Sequence, residues 1–167
     1  ALIEHLVEDS KLETIALMLY ETDKNVVPLT GLVLSYLQEW CKRQGIRLNY
    51  QLNESDFVLD KCEYLDSDDS IFGAMNAGER FDYIISNPPY FKLAKDDVHT
   101  RSCASIVDGQ TNIYALFMAI CTKLLEDDGQ MIFITPRSFA SGRYFQSFRD
   151  FLFRHVHIDL IHLFNTR

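Results

Sequence analysis

The apolar positions along the chain divide it into short strands alternating with amphipathic helices. Residues 1–9 place Leu2, Leu6 and Ile3 on one helical face with no capping residue ahead of them. Ile15–Tyr20 is an unbroken apolar run, the mark of a parallel strand buried on both faces, and it ends in Glu21-Thr22-Asp23. From about Val27 to Gln44, Leu29, Leu32, Val33, Tyr36, Leu37 and Trp40 recur at helical spacing, and Gly45 is a natural stop. Ile46, Leu48, Tyr50 and Leu52 then alternate as in a strand. Residues 60–80 are polar, with a short helix predicted around Ser70–Asn76. Phe81–Ser86 reads as a buried strand, followed by a long polar loop, Tyr90–Gln110, of the kind that carries function. We expect this loop to be mobile and to face substrate. Ile113, Leu116, Phe117, Ile120 and Leu124 form a helical stripe ending near Asp128-Gly129. Met131–Thr135 is a strand stopped by Pro136. Tyr144, Phe145, Phe148, Phe151 and Leu152 make an aromatic core stripe, and Ile158–Phe164 reads as a last strand.

This order predicts an α/β fold, a doubly wound, mostly parallel sheet. The 167 residues suffice for one domain with a real core. No apolar run reaches the length of a membrane span. Cys41, Cys62, Cys103 and Cys121 form no C-x-x-C pair, so reduced thiols and a cytoplasmic location are expected. His155 and His157 share a strand face without a third ligand, and no metal is expected. No nucleophile elbow supports a hydrolase. The net charge of −8 argues against a chain that grips nucleic acid unaided. Acidic clusters at Asp66, Asp68 and Asp69 and at Glu126–Asp128 contrast with Arg137, Arg143, Arg149, Arg154 and Arg167.

The most informative stretch is Ser86-Asn87-Pro88-Pro89-Tyr90. Two prolines lack N–H donors and fix φ, so the strand must stop there. Asn87 precedes a proline and is pushed extended. The result is a rigid turn at the carboxyl end of a strand, where open α/β sheets bind ligands. The Asn87 side-chain oxygen and a prolyl-turn carbonyl can accept two N–H groups of one nitrogen. Tyr90 offers a ring for stacking a planar partner, worth roughly 1–3 kcal/mol per base. Asn-Pro alone is a strand exit; the four residues together after an apolar strand point to a site. Asp82 reads as structural rather than as a base.

Asn87-Pro88-Pro89-Tyr90 resembles the catalytic motif of S-adenosylmethionine-dependent methyltransferases that act on exocyclic or amide nitrogens. Thr111-Asn112-Ile113-Tyr114, Gly129–Pro136 and Ser141–Phe145 narrow the likeness. Together they resemble the adenine-specific DNA methyltransferases of type II restriction–modification systems whose cofactor motifs precede the catalytic one. The resemblance implies a Rossmann-like class I methyltransferase fold, S-adenosyl-L-methionine as cofactor, double-stranded DNA as partner and a cognate restriction endonuclease. It implies Asn87, Pro88, Pro89 and Tyr90 as catalytic, with Asn87 also facing the cofactor. Glu21, with Asp23 as substitute, matches the ribose ligand. Asp56 matches the ligand of the cofactor's adenine amine and Phe57 the residue packed on that ring, although a turn aspartate beside a core phenylalanine fits as well.

The departure from that pattern is large. The chain has seven glycines and no G-x-G, so the glycine-rich loop and the first strand carrying it are missing. The family's C-terminal strands and target-recognition region are missing too. Residues 1–167 therefore read as a partial catalytic domain, expected to bind cofactor weakly and to be inactive alone. DNA is gripped largely by regions outside it. An RNA adenine, a protein glutamine amide and an inactive degenerate module remain alternatives.

Overall fold

The structure is a computed structural model describing residues 3, 4, 7, 12–65, 78–104, 111–141 and 143–164, without the Tyr144 side chain. Leu2, Leu6, the helix expected around Ser70–Asn76 and the acidic cluster at 66–69 lie outside them. It is a mixed α/β chain in two compact units, Ala1–Phe57 and Val58–Arg167.

In the first unit, β1 (Thr14–Tyr20) and β2 (Arg47–Asn53) pair in parallel, with Tyr20 opposite Asn53. Helix α1 (Val27–Arg43) connects them. Pro28 suits its first turn, where the missing N–H costs nothing. Lys42 and Arg43 sit in its last turn, where the helix dipole favours cations. Gly45 ends it at φ 78°, its N–H reaching the Lys42 carbonyl at 3.1 Å and that of Ile46 reaching Cys41 at 3.0 Å. This paired closure turns Ile46 back onto Cys41, and both join Leu48 in a small core that Leu37, Trp40, Ile3 and Val7 cover. The apolar stripe of α1 is only partly used. Leu34 and Cys41 are buried, while Leu29, Leu32, Val33 and Tyr36 are exposed, contrary to expectation. A two-stranded sheet is narrow, and the face it covers runs through Leu34, Leu37 and Cys41.

In the second unit, α2 (Phe57–Lys61), which begins at the boundary residue, leads into a 3-10 turn, Cys62–Leu65. β3 (Phe81–Ser86) pairs in parallel with β4 (Leu125–Phe133). Helix α4 (Ile113–Leu124) links them and is buried on nearly all sides, as a helix apolar all round must be. It packs against β4, the 3-10 turn and α5 (Gln146–His155), whose Phe148, Phe151 and Leu152 are buried as expected.

Four expectations are corrected here. The helix stops at Leu124 rather than near Asp128-Gly129, because residues 126–129 form a wide bulge in β4 opposite Asp82. Asp128 turns left-handed at φ 64°, and a Cβ on Gly129 would lie 2.9 Å from the Glu126 carbonyl oxygen, so that position requires glycine. The described part of the Tyr90–Gln110 loop is built rather than featureless. Lys92 bridges to Asn112, Leu93 and Cys103 are buried, and Asp97 caps a short helix, α3 (Val98–Ser102). Finally, Ile158–Phe164 is not a strand, and Leu160, Ile161, Leu163 and Phe164 are exposed. Its composition suits a strand, but among the described residues no neighbour pairs with it. The described sheets are two separate parallel pairs rather than one continuous doubly wound sheet.

Candidate active site

β3 ends at Ser86, and the double-proline turn leaves from the carboxyl edge of the β3–β4 pair. Pro88 is buried and anchors the corner, while Asn87, Pro89 and Tyr90 are exposed. β4 ends alongside, and Ile134 N–H donates to the Ser86 carbonyl at 3.1 Å. The Tyr90 hydroxyl reaches back to the Ile134 carbonyl at 2.7 Å and also meets Asn87 Oδ1. One hydroxyl proton faces two oxygens. An incoming N–H donor can therefore take the Asn87 oxygen while the phenol keeps its bond to Ile134, and no polar group is stranded.

Behind Tyr90 lies a feature that the sequence did not reveal. Tyr114, in the first turn of α4, is buried and presents its ring edge-on to Tyr90 at 6.4 Å. Its other neighbour is Phe145, stacked at 5.8 Å, and its hydroxyl pairs with Ser138 Oγ at 2.9 Å. Burial pushes the Tyr114 phenol up, against hydrogen bonding from Ser138 and Asn112. Tyr90 is thus held at its hydroxyl by Ile134, just past β4, and at its ring by α4, and remains exposed. Thr111-Asn112-Ile113-Tyr114 pointed here as a motif, but its contact with Ser138 joins residues far apart in sequence.

The loop after the turn is pinned beside it. Leu93 N–H donates to the Thr111 carbonyl at 2.8 Å, and Ile113 N–H to the Phe91 carbonyl at 3.1 Å. Asp97 Oδ1 accepts from His99 N–H at 2.9 Å and lies 2.7 Å from His99 Nδ1. The His99 side-chain and backbone hydrogen bonds hold the Asp97 carboxyl below the usual carboxylate range.

The first unit repeats the geometry with different residues. Glu21 follows β1 and its N–H donates to the Asn53 carbonyl at the end of β2. Its Oε1 accepts from Asp23 N–H at 2.8 Å, which fixes the carboxylate in place. Asp23 Oδ1 is taken up by the backbone and side-chain N–H groups of Asn25 at 2.8 and 3.0 Å. Asp23 therefore has a turn-building role, which sets it apart from Glu21 at the strand end. Asp56 and Phe57 follow β2 at the same edge, and the Phe57 ring meets Tyr20 edge-on at 5.2 Å. Tyr20, read from sequence only as part of a strand, adds a second ring to that wall. Asn53 Nδ2 is buried with no hydrogen-bond acceptor among the described residues. An orphaned donor between Glu21 and Asp56 suits a ligand rich in acceptors, such as a nucleoside. In chemistry this set, two carboxylates, two rings and an orphaned amide N–H, is compatible with the adenosyl end of S-adenosylmethionine, the cofactor the resemblance implies.

Other candidates lead nowhere. Asp82 lies near the amino end of β3, away from Asn87, opposite the bulge. His155 Nδ1 pairs with the Phe151 carbonyl at 2.8 Å. Cys121 is buried and its thiol is pushed up to about 12. No helix among the described residues is long and apolar enough to cross a membrane.

Residues 8–167 match the Eco57I restriction-modification methylase family. Type II methyltransferase M.BsuBI of Bacillus subtilis is 30% identical over 151 residues, 90% of this chain and 29% of that protein. Type II methyltransferase M.PstI of Providencia stuartii is 32% identical over 131 residues, 76% of this chain and 24% of that protein. The chain thus spans under a third of the length of either relative. With nearly its whole length matched, the chain belongs to the Eco57I restriction-modification methylase family.

Proposed function

We propose that this chain is part of the catalytic domain of an adenine-specific DNA methyltransferase of a restriction–modification system, with a Rossmann-like class I fold. The observation that carries the reading is the solvent-facing Asn87 and Tyr90 on a corner anchored by buried Pro88. Asn87 Oδ1 and the Pro88 carbonyl accept the two protons of the adenine N6 amine, drawing its lone pair out of conjugation. Tyr90 stacks on the ring of the flipped base, whose extrusion costs a few kcal/mol. Positioning and fixed dipoles do most of the work. The proton leaves after transfer, so no strong base is required.

Glu21 holds the ribose of the cofactor, Asp56 its adenine amine, and Phe57 with Tyr20 the ring face. S-adenosylmethionine, when bound, supplies an electrophilic methyl group on sulfur. Duplex DNA is the substrate, and a cognate endonuclease is the functional partner. The family membership and the names of the two relatives support DNA as substrate; Asn-Pro-Pro-Tyr supports an amino nitrogen as acceptor. The test is to incubate the polypeptide encoded by the gene with plasmid DNA and methyl-labelled cofactor, then digest to nucleosides. Label in N6-methyladenine is the expected result. Label in N4-methylcytosine overturns the adenine assignment, and no label in DNA overturns the substrate.

A further inference from the structure

The chain is acidic overall, yet its charge is unevenly distributed along the second unit. Residues 86–95, 111–125 and 134–149 contain no Asp or Glu. These are the segments that form the carboxyl edge of β3–β4 and the helix behind it. They carry Lys92, Lys95, Arg137 and Arg143, all exposed. The carboxylates gather at the other end of the same strands, where Glu79, Asp82, Glu126, Asp127 and Asp128 are exposed. Of the two carboxylates that interrupt the basic side among the described residues, Asp97 is taken up in capping α3 and by His99, leaving Asp96.

Three of these cations lie on backbone close to the residues around Tyr90. Lys92 is two residues beyond Tyr90 and bridges to Asn112. Arg137 adjoins Ser138, the partner of the Tyr114 hydroxyl. Arg143 lies two residues before Phe145, which stacks on Tyr114. Arg149 is excluded, since it donates to the Phe139 carbonyl at 3.0 Å. We infer that Lys92, Arg137 and Arg143 form a phosphate-binding rim that seats the duplex backbone around the target base, an inference that rests on the reading of DNA as substrate. The net charge of −8 then reflects the rest of the chain, and the acidic end of the strands repels the duplex from the wrong side.

The test is the salt dependence of duplex binding by the encoded polypeptide, measured for two duplexes of unrelated sequence. Each phosphate contact contributes about 0.9 to the slope of log affinity against log salt. Lys92→Gln, Arg137→Gln and Arg143→Gln should each lower the slope by about that amount. The loss should be the same on both sequences. Arg43→Gln, which removes an equal charge from α1, should leave the slope unchanged. If the wild-type protein methylates DNA but the three variants keep its slope, or lose no more than Arg43→Gln, the rim is overturned and methyl transfer stands. If the wild-type protein transfers no methyl group to DNA, both readings fall.

Discussion

The two units carry the same device with different residues. In each, a pair of parallel strands ends together and the residues proposed to face ligand follow immediately. At the β1–β2 edge those residues are Glu21 and Asp56, with Tyr20 and Phe57 in contact and a buried Asn53 donor lacking an acceptor. At the β3–β4 edge they are an amide and a phenol on a proline corner, flanked by lysine and arginine. On the proposed reading the first edge takes hydroxyl groups and a nucleoside base, and the second an amine and phosphates. Strand pairing decides where side chains converge, and the few residues beyond the last ladder bond decide what they bind.

The sharpest break between the edges is Asn87→Ala. It should cut methyl transfer by roughly 100- to 1,000-fold or more, the usual effect of removing one preorganised polar partner. Cofactor affinity by calorimetry should remain nearly unchanged; equal loss of both would merge the two roles. Glu21→Gln makes the converse cut. Cofactor affinity should fall by about 1.5–3 kcal/mol, the worth of hydrogen bonds to a charged group. The rate at saturating cofactor should be spared.

A smaller effect is expected behind the second edge. Tyr114→Phe keeps the ring against Tyr90 but loses the bond to Ser138, which should cost about 1 kcal/mol by urea denaturation. Ser138→Ala should cost no more than this, since the phenol keeps Asn112, and the double variant little more than Tyr114→Phe, because the Ser138 bond is lost in both. The smallest effect concerns pH. The Asp97 carboxyl is held below its ordinary 3.8 by His99. Its contribution is therefore present above about that pH and is lost as pH falls through the lower folded value. Denaturation midpoints measured down through pH 3 should fall more steeply for wild type than for Asp97→Asn.

The parts of this fold legible in sequence were those fixed by local chemistry. Ile15–Tyr20 and Phe81–Ser86 read as strands because of apolar runs, but not as buried ones: no residue of either is buried, and Tyr83 and Ile85 are exposed, because each pairs with one described strand. Asn87–Tyr90 read as a corner because prolines cannot join a ladder. Glu21 and Asp56 do lie just past the ends of β1 and β2, as their sequence positions after those strands imply. Features that depend on distant partners were not legible. Ile158–Phe164 has the composition of a strand, but composition cannot supply a neighbour. The α1 stripe is wider than the sheet it meets, so Leu29 and Tyr36 stay outside. Glu126–Gly129 read as the end of a helix, since acidic residues and glycine mark a helix terminus and a bulge alike. The support of Tyr90 by Tyr114, Ser138 and Ile134 joins three segments that no local pattern connects.

The bulge in β4 has a further consequence. From Phe81 to Tyr83 is two steps, but from Leu125 to Gln130, their partners, is five. An odd count would by pleat alternation alone place Gln130 on the wrong side of the sheet, and the left-handed turn at Asp128 absorbs the difference. Loss or gain of a single residue here would change that parity. Met131 and Phe133 would trade places with Ile132 and Ile134, and the carbonyl that holds Tyr90 would turn with them. Changes of length in this hairpin-like stretch should therefore be tolerated in pairs and rejected singly, far from the chemistry they would disable.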